Sequence, residues 1–308
     1  MEAEFAIEVD GLTKRFGGRV AVDDLRFTAR RGEVVGLLGP NGAGKTTTIR
    51  LLSTVLTPTS GRFRVAGVGS GDAGRIRRRV GVLPESAGYP GFLSGRDFLR
   101  YHARLYGRDQ VDTLVSRLLD DVDLTERASS RIGTYSRGMR QRLGIARALI
   151  NEPSVVLLDE PTLGLDPAGQ RQMLSMVRRI AAERGAAVVL STHTLPEVEQ
   201  VCGRVLIMAN GRAVVSGTVD EVTRSVSARR SGRLRVPLEL MERAIRALAG
   251  VPGATTEVSG ETITVSTPTD TNAALHAVLS AEVPVLSFEV DGIRLGDAFL
   301  ALTAKEDR

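Results

Sequence analysis

Eight consecutive residues, Gly39-Pro-Asn-Gly-Ala-Gly-Lys-Thr46, follow the pattern G-x-x-x-x-G-K-[ST]. Glycines at this spacing let a backbone wrap closely around a phosphate, and the successive N–H groups and the helix N-terminus form a positive cradle. In such a loop Lys45 reaches the β- and γ-phosphates, and the Thr46 hydroxyl ligates Mg²⁺. A glycine-rich turn that only caps a helix is the plain alternative. Further on, the apolar run Val155–Leu158 ends in two carboxylates, Asp159 and Glu160. Ligands of α/β sheets sit at the carboxyl ends of strands. Asp159 is then placed to hold Mg²⁺, directly or through water, and Glu160 to polarise a water that attacks the γ-phosphate.

The elements around these residues have to deliver them to one place. Val34–Leu38 reads as a buried strand leading into the loop, and Thr46–Leu56 as a helix stopped by Pro58. Further strands are predicted at Ala6–Val9, Arg62–Ala66, Val80–Leu83, Ala187–Leu190 and Val205–Ala209. Unbroken apolar strands between helices mark a sheet buried on both faces, hence a parallel α/β core. Between Glu85 and Tyr135 the pattern turns helical, with helices over Gly95–Leu105 and Asp109–Leu119. Ser225–Arg235 lacks apolar periodicity and reads as a linker or an exposed start. After it the order βαββαβ fits a small split-βαβ domain. Its elements are Leu234–Leu238, Leu240–Ala249, Ala254–Val258, Thr262–Thr267, Thr271–Ala281 and Val285–Val290, with a last helix at Leu295–Thr303.

Composition narrows the function. The 308 residues include one Cys, three His, no Trp, four Tyr and eight Phe. A disulfide framework is therefore impossible and a metal cluster of Cys or His is not supported. So few aromatic rings argue against a base-stacking platform. A net charge of +5 permits contact with an anionic partner, but the charges are mostly dispersed, and the arginines at 75, 77, 78 and 79 read as a solvated face. No apolar run approaches the ~20 residues of a membrane span, and the acidic start Met1-Glu-Ala-Glu-Phe5 does not resemble a signal peptide. The expectation is a soluble, intracellular chain with no membrane segment of its own and no nucleic-acid partner.

Between the loop and the carboxylates lies Tyr135-Ser-Arg-Gly-Met-Arg-Gln-Arg142. It resembles the signature motif of ABC ATPases, usually Leu-Ser-Gly-Gly-Gln. Other features of that family follow in order over residues 4–219: Phe16, Glu85 where a Gln usually stands, Asp166 after Pro161-Thr-Leu-Gly-Leu165, and His193 in Ser-Thr-His. The resemblance implies a P-loop α/β ATPase at residues 1–219, with a helical subdomain at about 86–135, that binds ATP and Mg²⁺. Its nucleotide-binding residues would be Phe16 (stacked on adenine), Gly39, Pro40, Asn41, Gly42, Ala43, Gly44, Lys45, Thr46, Thr47, Glu85, Asp159 and His193. Thr46, Glu85 and Asp159 would face the metal, and Lys45, Glu160 and His193 the reaction. Ser136 and Gly138 would complete the ATP site of a second subunit in a head-to-tail homodimer. Each has a plainer reading: Phe16 as core, His193 as a satisfied strand-end histidine, Ser136 as a helix N-cap.

The departures at Glu85, Arg137 and Met139, with Gly81-Val-Leu-Pro-Glu85 and Leu105-Tyr-Gly107, resemble the ATPases of ABC-2-type bacterial exporters, including the daunorubicin-resistance and sodium-export groups. Leu295-Gly-Asp-Ala-Phe-Leu300 is similar to part of their small α+β, ferredoxin-like accessory domain, which would occupy residues 220–308. The resemblance thus implies an exporter subunit at the cytoplasmic face of the membrane, docked on separate ABC-2-type transmembrane permease subunits. Two other readings share the motifs. One is a soluble ABC ATPase acting on ribosomes or nucleic acid, which normally has two ATPase modules or a long coiled coil. The other is an importer ATPase.

Overall fold

A computed structural model describes residues 5–226, 230–267 and 271–291, and the chain divides into two units, residues 1–219 and 220–308. In the first, the elements run β1 (Phe5–Phe16), β2 (Arg19–Arg30), β3 (Val34–Leu38), α1 (Lys45–Leu52), β4 (Ser60–Val65), β5 (Val68–Gly69) and α2 (Ala73–Arg77). Next come β6 (Val80–Leu83), α3 (Gly95–Leu105), α4 (Val111–Asp121), α5 (Arg137–Leu149), β7 (Val155–Asp159) and α6 (Pro167–Arg184). The unit closes with β8 (Ala187–Thr192), α7 (Leu195–Val201), β9 (Arg204–Ala209) and β10 (Arg212–Thr218), and α8 (Val219–Val226) begins at its last residue.

The central sheet has the order β10-β9-β3-β8-β7-β6. Strands β9, β3, β8, β7 and β6 are parallel, and β10 adds an antiparallel edge. Every residue of β3, β7 and β8 is buried, as their apolar runs require of a sheet covered on both faces. Two predicted strands lie elsewhere. Ala6–Val9 and most of Arg62–Ala66 belong to a second, antiparallel sheet of order β2-β1-β4-β5. The reason is local: β1 and β2 are joined through Gly17-Gly18, and so short a connection allows only antiparallel pairing. Strands β2 and β10 went unread because charged and polar residues interrupt their apolar ones. Helix α1 stops at Leu52, short of the expected Leu56, and Thr54 turns the chain at φ 60°.

The second unit comprises β11 (Arg230–Arg235), α9 (Met241–Ala249), β12 (Thr255–Ser259), β13 (Thr262–Thr267), α10 (Thr271–Ser280) and β14 (Ser287–Asp291). Its sheet order β12-β13-β11-β14, antiparallel throughout, is that of a split-βαβ sandwich. Leu234, Val236, Leu248, Ile263, Val265 and Val278 form its own core. The linker expected at Ser225–Arg235 is overturned in its second half, because Arg230–Arg235 pairs with strands on both sides. The expected helix Leu295–Thr303 and the Leu295–Leu300 motif lie outside the described residues.

Candidate active site

Strand register assembles the site. Leu38 is paired with Thr192, and Ser191 with Asp159, so the carboxyl ends of β3, β8 and β7 stand side by side. The residues that leave these ends are Gly39, His193 and Glu160. Before them opens a cavity of about 680 Å³ lined by Phe16, Asn41, Gly42, Ala43, Gly44, Lys45, Thr46, Thr47, Glu85, Glu160 and His193, with Arg19, Ala21 and Leu163.

The loop wraps as tightly as its composition implies. Gly44, at φ +103°, places its α-carbon where an added Cβ would stand 2.5 Å from the Ala21 carbonyl oxygen. At Gly39 a Cβ would meet the Met208 carbonyl oxygen at 2.4 Å, so neither position accepts a side chain. Lys45 is buried; its Nζ donates to the carbonyls of Gly39 (2.7 Å) and Pro40 (3.2 Å) and lies 3.5 Å from Glu160 Oε1. The other Glu160 oxygen is 2.9 Å from His193 Nδ1, which makes a continuous line from Lys45 through Glu160 to His193.

Glu160 itself has φ 49°, a left-handed conformation that a glutamate adopts at a strain of about 1–2 kcal/mol. Its backbone N–H holds it there by donating to the carbonyl and hydroxyl oxygens of Ser191, at 3.2 and 3.1 Å. Ser191 Oγ also donates to Asp159 Oδ1 at 2.6 Å, and Thr46 Oγ1 donates to the same oxygen at 3.0 Å. The wholly buried Ser191 thus holds the Asp159 carboxylate and the Glu160 backbone at once.

The residues expected from the sequence fall into three sets. Those of the loop come together with Asp159, Glu160 and His193 around the strand ends. Phe16 and Glu85 sit on the rim; Phe16 is 48% exposed, not core, with Lys14 Nζ 5.1 Å from its ring centroid. Ser136 and Gly138 do not line this cavity. Ser136 caps α5 by accepting the Met139 N–H at 3.2 Å, and Arg137 lies against Gly164 beside it. Glu85 and Arg137 both border a second cleft of about 480 Å³.

Sequence reasoning did not find Arg19, Ser191, or a buried network in which Glu197 accepts the hydroxyls of Thr162 and Thr192, each at 2.7 Å. Its one available signal was the polar trio Ser191-Thr192-His193 closing an otherwise apolar strand. Nearby, burial and then the Glu197 carboxylate push the Cys202 thiol from 9.0 up to about 12.

A phosphate-wrapping loop, a buried lysine and two strand-end carboxylates suit a nucleoside triphosphate, and comparison with known proteins agrees. Residues 22–163 match the ABC transporter family. The chain is 36% identical over 315 residues to the daunorubicin resistance ATP-binding protein DrrA3 of Streptomyces coeruleorubidus, covering 99% of this chain and 98% of that one. It is 38% identical over 207 residues to the bacitracin transport ATP-binding protein BcrA of Bacillus licheniformis, 67% of each chain. A solved ATP-binding subunit of an ABC transporter superposes with a TM-score of 0.63 at 32% identity, over 71% of this chain and 92% of that one. The chain belongs to the ATP-binding proteins of ABC transporters.

Proposed function

We propose that this chain powers a bacterial exporter by hydrolysing ATP, as a dimer docked on separate ABC-2-type membrane subunits at the cytoplasmic face. The observation that carries the reading is the line Lys45–Glu160–His193 along a phosphate-loop cavity. The relatives named for daunorubicin resistance and bacitracin transport support export as the direction. None of the described helices is long and apolar enough to cross a membrane, and the reading takes its transport path from partner subunits.

The loop N–H groups and Lys45 would bind the β- and γ-phosphates, with Lys45 exchanging its carbonyl partners for phosphate oxygens. Phe16, exposed on the rim, offers its ring to the adenine. The hydroxyl of Thr46 and the carboxylate of Asp159, already 3.0 Å apart, form a hard oxygen donor set that fits Mg²⁺, with Glu85 as a further oxygen. Mg²⁺ held there would neutralise phosphate charge. Glu160 would orient the attacking water and accept its proton as the bond to the γ-phosphorus forms and that to the leaving oxygen breaks. His193 would hold that water against the γ-phosphate. Ser136 and Gly138, which do not line the cavity of their own chain, would close the site of the opposite one.

Glu160→Gln keeps the shape and removes the base. ATP binding should persist, hydrolysis should fall by roughly 100-fold or more, and ATP-loaded dimers should accumulate in light scattering. Phosphate release within threefold of the unaltered chain would refute the role.

A further inference from the structure

Glu197 is 4% exposed, and nothing in the proposed chemistry uses it. It stands in the first turn of α7 and accepts two hydrogen bonds: Oε1 from Thr162 Oγ1 and Oε2 from Thr192 Oγ1, each 2.7 Å. Thr162 lies two residues beyond Glu160, on the turn that leaves β7. Thr192 is the last residue of β8, directly before His193. Its hydroxyl also accepts the Thr194 N–H at 3.0 Å, which fixes the chain on the far side of the histidine. Both threonines are buried as well.

As a source of stability this arrangement is poor. No ion pair to Glu197 occurs among the described residues, and a buried carboxylate with only hydroxyl partners recovers part of its lost hydration. An apolar side chain of similar volume would fill the space more cheaply. What it would not supply is two acceptors in one rigid plane, each committed to a different turn.

We propose that Glu197 is a positioning residue for hydrolysis: its carboxylate clamps the turn carrying Glu160 to the turn carrying His193 and so fixes their 2.9 Å contact. The kinetic consequence rests on the proposed ATPase activity; the clamp does not. A water shared by the two side chains needs both in place, and a displacement of ~1 Å costs about 100-fold in rate. Phosphate binding belongs to residues 39–47; Thr192 meets them only through its backbone carbonyl, which accepts the Gly39 N–H at 3.4 Å and survives loss of the carboxylate–hydroxyl bonds, so the effect falls on kcat.

The test compares Glu197→Leu, which fills the volume and removes both acceptors, with Glu197→Gln, whose amide can serve both threonine hydroxyls once one of them rotates to accept. Two readouts are taken on folded protein: ATPase kinetics, and the ring ¹⁵N signals of His193 without nucleotide. The chain has three histidines, so His193 is assigned by substitution. Glu197→Leu should lose 10- to 100-fold in kcat with KM within threefold and should shift the His193 signals. Glu197→Gln should stay within threefold in kcat and leave the signals in place. If Glu197→Leu does not fold, Thr162→Val and Thr192→Val each cut one arm, and each should lower kcat at least threefold and shift the signals. Unmoved signals, unchanged kcat, or a rise in KM at full kcat overturns the clamp. Should the unaltered chain fail to hydrolyse ATP, the ATPase reading falls, while the His193 signals still decide whether the clamp exists.

Discussion

Ser191→Ala removes one oxygen from beneath the site, and the contacts of that oxygen set the size of the loss. Its hydroxyl donates at 2.6 Å to Asp159 Oδ1, a carboxylate that is 3% exposed. A hydrogen bond to a charged acceptor contributes about 1.5–3 kcal/mol. The Glu160 N–H, which also uses Ser191 Oγ, keeps the Ser191 carbonyl at 3.2 Å, so its share of the loss is small. A net loss of about 2–3 kcal/mol, at roughly 2–4 °C per kcal/mol for a unit of this size, lowers Tm by about 4–12 °C. Scanning calorimetry of nucleotide-free protein reads this directly. Thr46→Val sharpens the test, because Thr46 donates at 3.0 Å to the same Oδ1. Each single variant leaves Asp159 one donor, and the double variant leaves it none of the two. The two losses should therefore fail to add by at least about 0.5 kcal/mol. A Tm shift below about 1 °C for Ser191→Ala, or strict additivity with Thr46→Val, would refute the shared-acceptor account.

Three further outcomes are expected. Lys45→Ala removes the buried cation proposed to face the phosphates and should weaken ATP binding by about 100-fold, or ~2.8 kcal/mol; calorimetric titration with unchanged affinity refutes the cradle. Cys202, its thiol raised to about 12, contributes stability that is full below the unfolded value of 9.0 and is lost as pH rises through the window between them. Unfolding free energies from urea titrations between pH 9 and 11 should therefore fall by up to ~1.4 kcal/mol per pH unit more steeply in the unaltered chain than in Cys202→Ala, and equal slopes would refute the burial argument. Residues 1–219 and 220–308 carry separate cores, so a chain ending at 219 should melt cooperatively and bind ATP; recovery only as aggregate counts against independent folding.

The range of the contacts involved decides which features were legible in the sequence. The phosphate loop was legible because its whole mechanism lies within eight contiguous residues, and β3, β7 and β8 because burial on both faces leaves unbroken apolar runs. Helix α3 matched its predicted span Gly95–Leu105, since Ser94 caps it by accepting the Asp97 N–H at 3.0 Å, a local signal. Strand β2 was not legible: Arg19–Arg30 owes its existence to pairing with β1, and its own residues interleave charge with apolar side chains. The same holds for β11, held between β13 and β14. At the site, the loop pattern and the strand-end carboxylates singled out Lys45, Asp159 and Glu160, and the family resemblance added His193; the fold brings the four together. Ser191 did not stand out, because a serine at a strand end acquires meaning only when the register sets it opposite Asp159.

Rigidity within the site is distributed unevenly, and the hydrogen bonds show why. Below the cavity, two buried carboxylates each gather two hydroxyls: Asp159 those of Thr46 and Ser191, Glu197 those of Thr162 and Thr192. The first pair ties the phosphate loop to β7 and β8, the second ties the β7 turn to the β8 turn. Three of these four bonds join residues 32 or more positions apart, so a loop that shifts breaks a bond to a buried carboxylate, at about 1.5–3 kcal/mol each. Glu160 needs such a frame, because its φ of 49° would relax in an unconstrained turn. The rim is built differently. Phe16 and His193 are about half exposed and Glu85 stands open to solvent between two clefts. The rim side chains thus reach out from a base whose buried hydrogen bonds tie the turns beneath them together before any ligand arrives.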